Sequence, residues 1–258
     1  MEDLLEKLER DPESHKGDNG RVGVIAGSKD YAGAPALSAK AALRTGCDLA
    51  KILTSRAVAG TVASYSENFI VDSYRSSYFD RDSLFPAEEL AVWSDAVVVG
   101  PGFSRAHRKS VRKFVSSVDV PLVIDAEAIE PALEADLGDA VLTPHQGEAE
   151  VIKEHFGGFE EFAKEKEVVL VVKGPTDEIY TPEPGKNETG SAGMTVGGTG
   201  DVLTGIIASL ISQGLELGEA AKLGAWINGR AGEEAYEDYG IGMTATDLAE
   251  LIPFVLQD

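Results

Sequence analysis

The chain has 258 residues, a net charge of −21 from 23 lysines and arginines against 44 aspartates and glutamates, and one cysteine. Such acidity argues against nucleic acid or an anionic membrane as partner, because both call for a basic face, and no run of about 18 apolar residues is present to span a bilayer. The lone Cys47 cannot form an internal disulfide, and the N-terminal stretch lacks the apolar core of a signal peptide, so a cytoplasmic location is expected.

In chain order, residues 1–14 read as a short helical arm ahead of one domain over 15–258. "RVGVIAG" (21–27) reads as a strand and precedes a helix of small residues at 34–46. "DLAKILTS" and "ENFIVDSY" read as further strands, and "DAVVVGPG" (95–102) leads into a polar helix at about 104–117. "VPLVIDAE", "DAVLTPH" and "EVVLVVKGP" follow, the first two each leading into a helical segment, the third into the hairpin partner "EIYTP". Helices over about 201–213, 218–238 and 244–256 complete the chain. Apolar runs without alternation indicate strands buried on both faces, hence a mostly parallel sheet in a three-layer αβα fold.

Four successive strands end in "GPG", "DAE", "TPH" and "KGP". In open α/β sheets ligands bind outside the carboxyl ends of the strands, so these clusters are expected to line one rim. The loop "TVGGTGDVLTG" (195–205) is expected to close over it. Gly197, Gly198 and Gly200 permit close backbone approach, and the free amides opening the next helix suit a phosphate. Asp201 there either caps its helix or, held ionised by the helix dipole, takes a proton from a hydroxyl attacking phosphorus. A divalent cation would relieve its repulsion with the phosphates.

Asp125 and Glu148 each read as a helix cap or as a ligand of metal-bound water. His145 reads as a ligand contact or a surface histidine, and Lys173 as a phosphate contact or a solvated charge. There is no G-x-x-x-x-G-K-[ST] loop and no G-x-S-x-G elbow, and Arg105 stands at the third glycine position of a Rossmann fingerprint.

Taken together, "HKGDNGRVGVIAGS", "YAGAPALSAKAALRTG", "VVVGPGFSR", "LTPHQGEAE", "VVKGPTDEIY" and "MTVGGTGDVLTGIIA" resemble the ADP/ATP-dependent NAD(P)H-hydrate dehydratase family of the ribokinase-like superfamily. The resemblance covers residue 15 to the C-terminus. It implies repair of the S epimer of hydrated NADH or NADPH, using ADP or ATP with Mg2+ and giving AMP and phosphate when ADP is used. A small-alcohol kinase on the same fold is the alternative. Ala34, Gly102, His145 and Asp201 would contact the hydrated dinucleotide. Lys173, Gly174, Pro175, Thr176, Asp177, Gly198, Thr199 and Gly200 would contact the adenine nucleotide, with Thr176 and Asp177 shifted by one residue against the family's pattern. The metal ligands stay open between Asp125 and Glu148. A homo-oligomer, a tetramer by resemblance, and an epimerase on a separate chain complete the expectation.

Overall fold

The computed structural model describes residues 1–257. Strands form where β-branched runs can be buried on both sides. The parallel set is β1 (Arg21–Ile25), β2 (Leu49–Ser55), β3 (Ile70–Tyr74), β4 (Ala96–Val99), β5 (Leu122–Ile124), β6 (Ala140–Leu142) and β7 (Val169–Val172). β8 (Asp177–Tyr180) and β9 (Gly185–Asn187) extend the sheet antiparallel. The order is β3-β2-β1-β4-β5-β6-β7-β8-β9, with Val24 of β1 opposite Ile52 of β2 and Val98 of β4.

Successive side chains feed the two faces in turn, as strand geometry requires. Val98 joins one core cluster while Val97 and Val99 join the other, and all three are fully buried. Each such valine or isoleucine contributes about 1.5–3 kcal/mol by leaving water. Against the first face pack α2 (Gly33–Thr45), α3 (Ala59–Ala63), α9 (Thr199–Ser212), α10 (Leu217–Tyr239) and α11 (Ala245–Val255). The short N-terminal α1 (Glu2–Leu5) reaches the same cluster through Leu4 and Leu5, and Lys7 pairs with Glu219 at 2.7 Å. The second face carries α4 (Leu84–Trp93), α5 (Arg108–Val115), α6 (Ile129–Leu133), α7 (Gln146–Phe156) and α8 (Phe159–Lys166).

The small residues of α2 serve packing inside the chain. Pro35, Ala36, Ser38, Ala39, Ala41 and Ala42 are buried, and α2 lies against α9. Ser38 Oγ donates to the Asp201 carbonyl at 3.0 Å and lies 3.1 Å from Thr204 Oγ1, which clamps the first turn of α9.

Three details depart from the sequence expectation. α5 begins at Arg108 instead of near residue 104, because Ser104 is left-handed (φ 53°) and His107 is an extended N-cap. α3, α4, α8 and β9 had no counterpart in the pattern. β3 is an edge strand with mostly exposed residues, so it is not buried on both faces.

Candidate active site

Strand order reverses between β1 and β4, so the crevice beyond their carboxyl ends is the switch point of the sheet. Gly27, just past β1, donates its amide to the Pro101 carbonyl just past β4 at 2.8 Å. Gly102 (φ 68°) faces the start of α2 so closely that a Cβ on it would lie 3.0 Å from that of Ala34. These two predicted dinucleotide contacts therefore meet across the crevice.

The next three strand ends bring the charged groups together. Asp125, just past β5, is 4% exposed and makes no side-chain cap, so the capping alternative does not hold. Its Oδ1 accepts from Thr143 Oγ1 at 2.9 Å and from Lys173 Nζ at 2.7 Å. Lys173 is not a solvated charge, because its side chain is 20% exposed and locked in this ion pair. A charge buried this deeply is tolerated only when paired and hydrogen-bonded, and Lys173 and Thr143 supply both. β6 and β7 stay in step beyond their ends, where Lys173 N donates to the Pro144 carbonyl at 2.9 Å.

His145 and Glu148 form a capping box for α7. His145 Nδ1 accepts from the amides of Gly147 (2.9 Å) and Glu148 (3.2 Å), while Glu148 Oε2 accepts from the His145 amide at 2.9 Å. Burial pushes the Glu148 carboxyl up and Asp125 adds to that, against the hydrogen bond from His145 and the charge of Lys173.

At the mouth of α9 the arrangement is the reverse. The N-cap is Gly198 (φ 102°), a left-handed position that favours glycine, so no side chain competes for the first amides. Gly198 itself faces Leu37 and Ala245. Asp201 stands in the first turn, and its carboxylate accepts no hydrogen bond from any described residue. Burial, then the charges of Asp125 and Glu127, push its carboxyl up to about 7 against the pull of Lys173. The expectation that the helix dipole keeps Asp201 ionised left out these opposing influences, burial first and the neighbouring carboxylates after it.

Two cavities meet at His145. One, of about 720 Å³, is walled by Lys173, Gly174, Pro175, Asp177, Thr199, Gly200, Leu203 and Asn228 among others. It brings together the predicted nucleotide residues apart from Thr176 and Gly198. Asp177 braces the turn beside it, accepting from Gly174 N at 3.0 Å and from Asn187 Nδ2 at 3.0 Å. The other cavity, of about 600 Å³, lies between the loops after β4 and β5 and the start of α7. Its wall holds Ser104 and Ala126, both non-glycine residues in left-handed conformation (φ 53° and 51°), the kind of stored strain that clusters at ligand sites.

Among the described residues no group of three or more His, Cys, Asp or Glu side chains could hold a metal ion. Asp125 and Glu148 each have one oxygen committed to the protein. Sequence reasoning passed over Ser38, Thr143 and Asn228, whose roles arise only from contacts between elements. For Thr143 the one available signal was its place in the strand-ending "TPH".

A family model described as NAD(P)H-hydrate dehydratase matches residues 22–254. A protein of Haloterrigena turkmenica called ADP-dependent (S)-NAD(P)H-hydrate dehydratase is 44% identical over 237 residues, covering 92% of each chain. Among solved structures, a ribokinase-like superfamily protein of Enterococcus faecalis superposes with a TM-score of 0.87 at 22% identity, over 100% of this chain and 94% of its own, which speaks to the fold alone. An ADP/ATP-dependent NAD(P)H-hydrate dehydratase of Bacillus subtilis, co-crystallised with ATP and Mg2+, gives a TM-score of 0.81 at 27% identity, over 99% and 96%. The chain belongs to the NAD(P)H-hydrate dehydratase family.

Proposed function

We propose that the protein performs ADP-dependent dehydration of the S epimer of NADH or NADPH hydrate, returning the reduced dinucleotide with AMP and phosphate. One observation carries the reading. Asp201 is a half-buried carboxylate that accepts no hydrogen bond from any described residue, in the first turn of an uncapped helix beside the Asp125–Lys173 pair.

Held with its diphosphate at the amides of Thr199 and Gly200, the nucleotide presents its terminal phosphorus to the ring hydroxyl of the hydrate. Asp201 takes the hydroxyl proton as the oxygen–phosphorus bond forms and AMP departs. The phosphorylated oxygen then leaves as phosphate, driven by the ring-nitrogen electrons, and loss of the neighbouring ring proton restores the double bond. Phosphorylation turns a poor leaving group into a good one, which accounts for a kinase-like site in a dehydratase. Lys173 and the amides stabilise charge gathering on the transferred phosphoryl group. Ala34, Gly102 and His145 line the dinucleotide side, while Lys173 to Asp177 and Gly198 to Gly200 form the nucleotide side.

The donor set fits Mg2+, a hard cation that keeps much of its water and takes one or two carboxylates. Glu148 and Asp125 are the carboxylates that would hold it, and it would supply charge neutralisation. The enzyme works in the cytoplasm as a homo-oligomer, a tetramer, alongside an epimerase on another chain. This assignment rests on the family resemblance of the motifs quoted above. The test incubates (S)-NADH hydrate with ADP and Mg2+. Recovery of reduced-nicotinamide absorbance with one AMP and one phosphate per turnover is expected. A stable phosphorylated product, or no recovery, would overturn the reading.

A further inference from the structure

Asn228 sits midway along α10, whose other buried residues are alanine, glycine, leucine and isoleucine. It is 7% exposed, it forms part of the wall of the 720 Å³ cavity, and its Oδ1 is buried with no hydrogen-bond partner. A buried unpaired acceptor weakens the fold and calls for a reason. The polar side chains that reach α10 just ahead of it, Asn187 and Thr189, bond elsewhere. Asn187 Nδ2 donates to Asp177 Oδ2, at 3.0 Å, and to the Ala225 carbonyl, at 3.1 Å. Thr189 Oγ1 lies 2.7 Å from Asn187 Oδ1. Among the described residues none donates to Asn228 Oδ1.

The cavity supplies the missing partner. Its amide-rich end is Thr199 and Gly200, and Leu203 lies three residues further along α9, about 4.5 Å down the helix axis at about 1.5 Å per residue. Pro175, Leu203 and Asn228 share the cavity wall with those amides, so a nucleotide with its phosphates there has them within the same cavity to receive its base. Leu203 and Pro175 offer apolar faces for a flat ring, and Asn228 is the polar group at its edge. Adenine presents an amine donor beside a ring-nitrogen acceptor, and a carboxamide matches both in one plane, as asparagine does when it reads adenine in DNA.

We propose that Asn228 reads the base: its Oδ1 accepts from the exocyclic amine of adenine and makes the site selective for 6-aminopurine nucleotides. This rests on the ADP-dependent reading above, so binding and turnover are measured separately on the full chain. Kd for ADP and for inosine diphosphate, in which a carbonyl replaces the amine, is read by calorimetry. The wild type is expected to bind ADP about tenfold to a hundredfold more tightly, the loss that accompanies an unmade buried hydrogen bond. Asn228→Leu is expected to bring the ratio close to one by weakening ADP. Asn228→Asp keeps an acceptor for the amine and is expected to retain part of the preference, which preserves the test if the leucine variant does not fold. A purely structural role would alter thermal stability and leave the ratio alone. Equal affinities in the wild type, or an unchanged ratio in Asn228→Leu, would overturn the proposal. Selective ADP binding without recovery of the reduced dinucleotide would support it while overturning the dehydratase reading.

Discussion

Two helices open onto the same rim, and their first turns are built in opposite ways. At α7 the side chains of His145 and Glu148 are spent on the backbone, each accepting amides of the other's segment. At α9 a glycine takes the N-cap, the first amides stay free, and the acidic side chain in the turn accepts no hydrogen bond. A capped terminus is stable and inert toward anions, whereas an uncapped one keeps its dipole and donors for a ligand. The comparison teaches that chemistry resides where local satisfaction has been withheld. The same rim makes the point with its two aspartates: Asp125 is deeply buried and paired, Asp201 half-buried and without a hydrogen-bond partner among the described residues.

The contrast is broken most severely at Asp201. Asp201→Asn keeps the shape and removes the base, so kcat is expected to fall about 10³-fold with ADP affinity retained. Steady-state rates with parallel calorimetry decide this, and near-normal turnover would refute the assignment. Next in size is Lys173→Met, which strands the buried carboxylate of Asp125. Urea unfolding is expected to show a loss of about 3 kcal/mol, the penalty for breaking a buried pair by removing one partner. A loss under half of that would mean that Thr143 suffices.

A smaller effect follows from proton linkage. The folded Asp201 carboxyl lies near 7, above its unfolded value of about 3.8. Its contribution to stability is therefore fully present below about pH 3.8 and is lost as pH rises through about 7. Asp201→Asn, which cannot ionise, is expected to gain about 3 °C or more in Tm over the wild type at pH 8. The gain is expected to vanish near pH 4, and a pH-independent difference would contradict the linkage. Smallest is His145→Ala, where loss of the α7 cap is expected to cost about 1 kcal/mol in unfolding. A far larger loss would mean that His145 does more than cap.

Most of the sheet was legible because β1, β4, β5, β6 and β7 are short apolar runs buried on both faces, which leaves a distinct signature. β9 escaped because "GKN" has no such run, its pairing resting on β8 and its Asn187 on contacts to α10. α5 was placed too early because a left-handed Ser104 cannot be read from a polar segment. In the site, Asp125, Lys173 and Asp201 stood out as charges at strand ends and at a glycine-rich turn. Their partners did not. Thr143 is the first residue past a strand end, and Ser38 and Asn228 lie inside helices, and only the packing of one element on another shows what each one touches. For the same reason the sequence expected Asp201 to stay ionised: the dipole is a local property, while burial by the surrounding layers is not.

The most direct test of Asp201 as the base is kcat/KM for the hydrate, measured against pH in the presence of ADP and Mg2+. An activity that rises through an apparent pKa of about 7 in the wild type, with no such limb in the residual rate of Asp201→Asn, is the predicted result. A flat profile, or the same limb in both proteins, would contradict it.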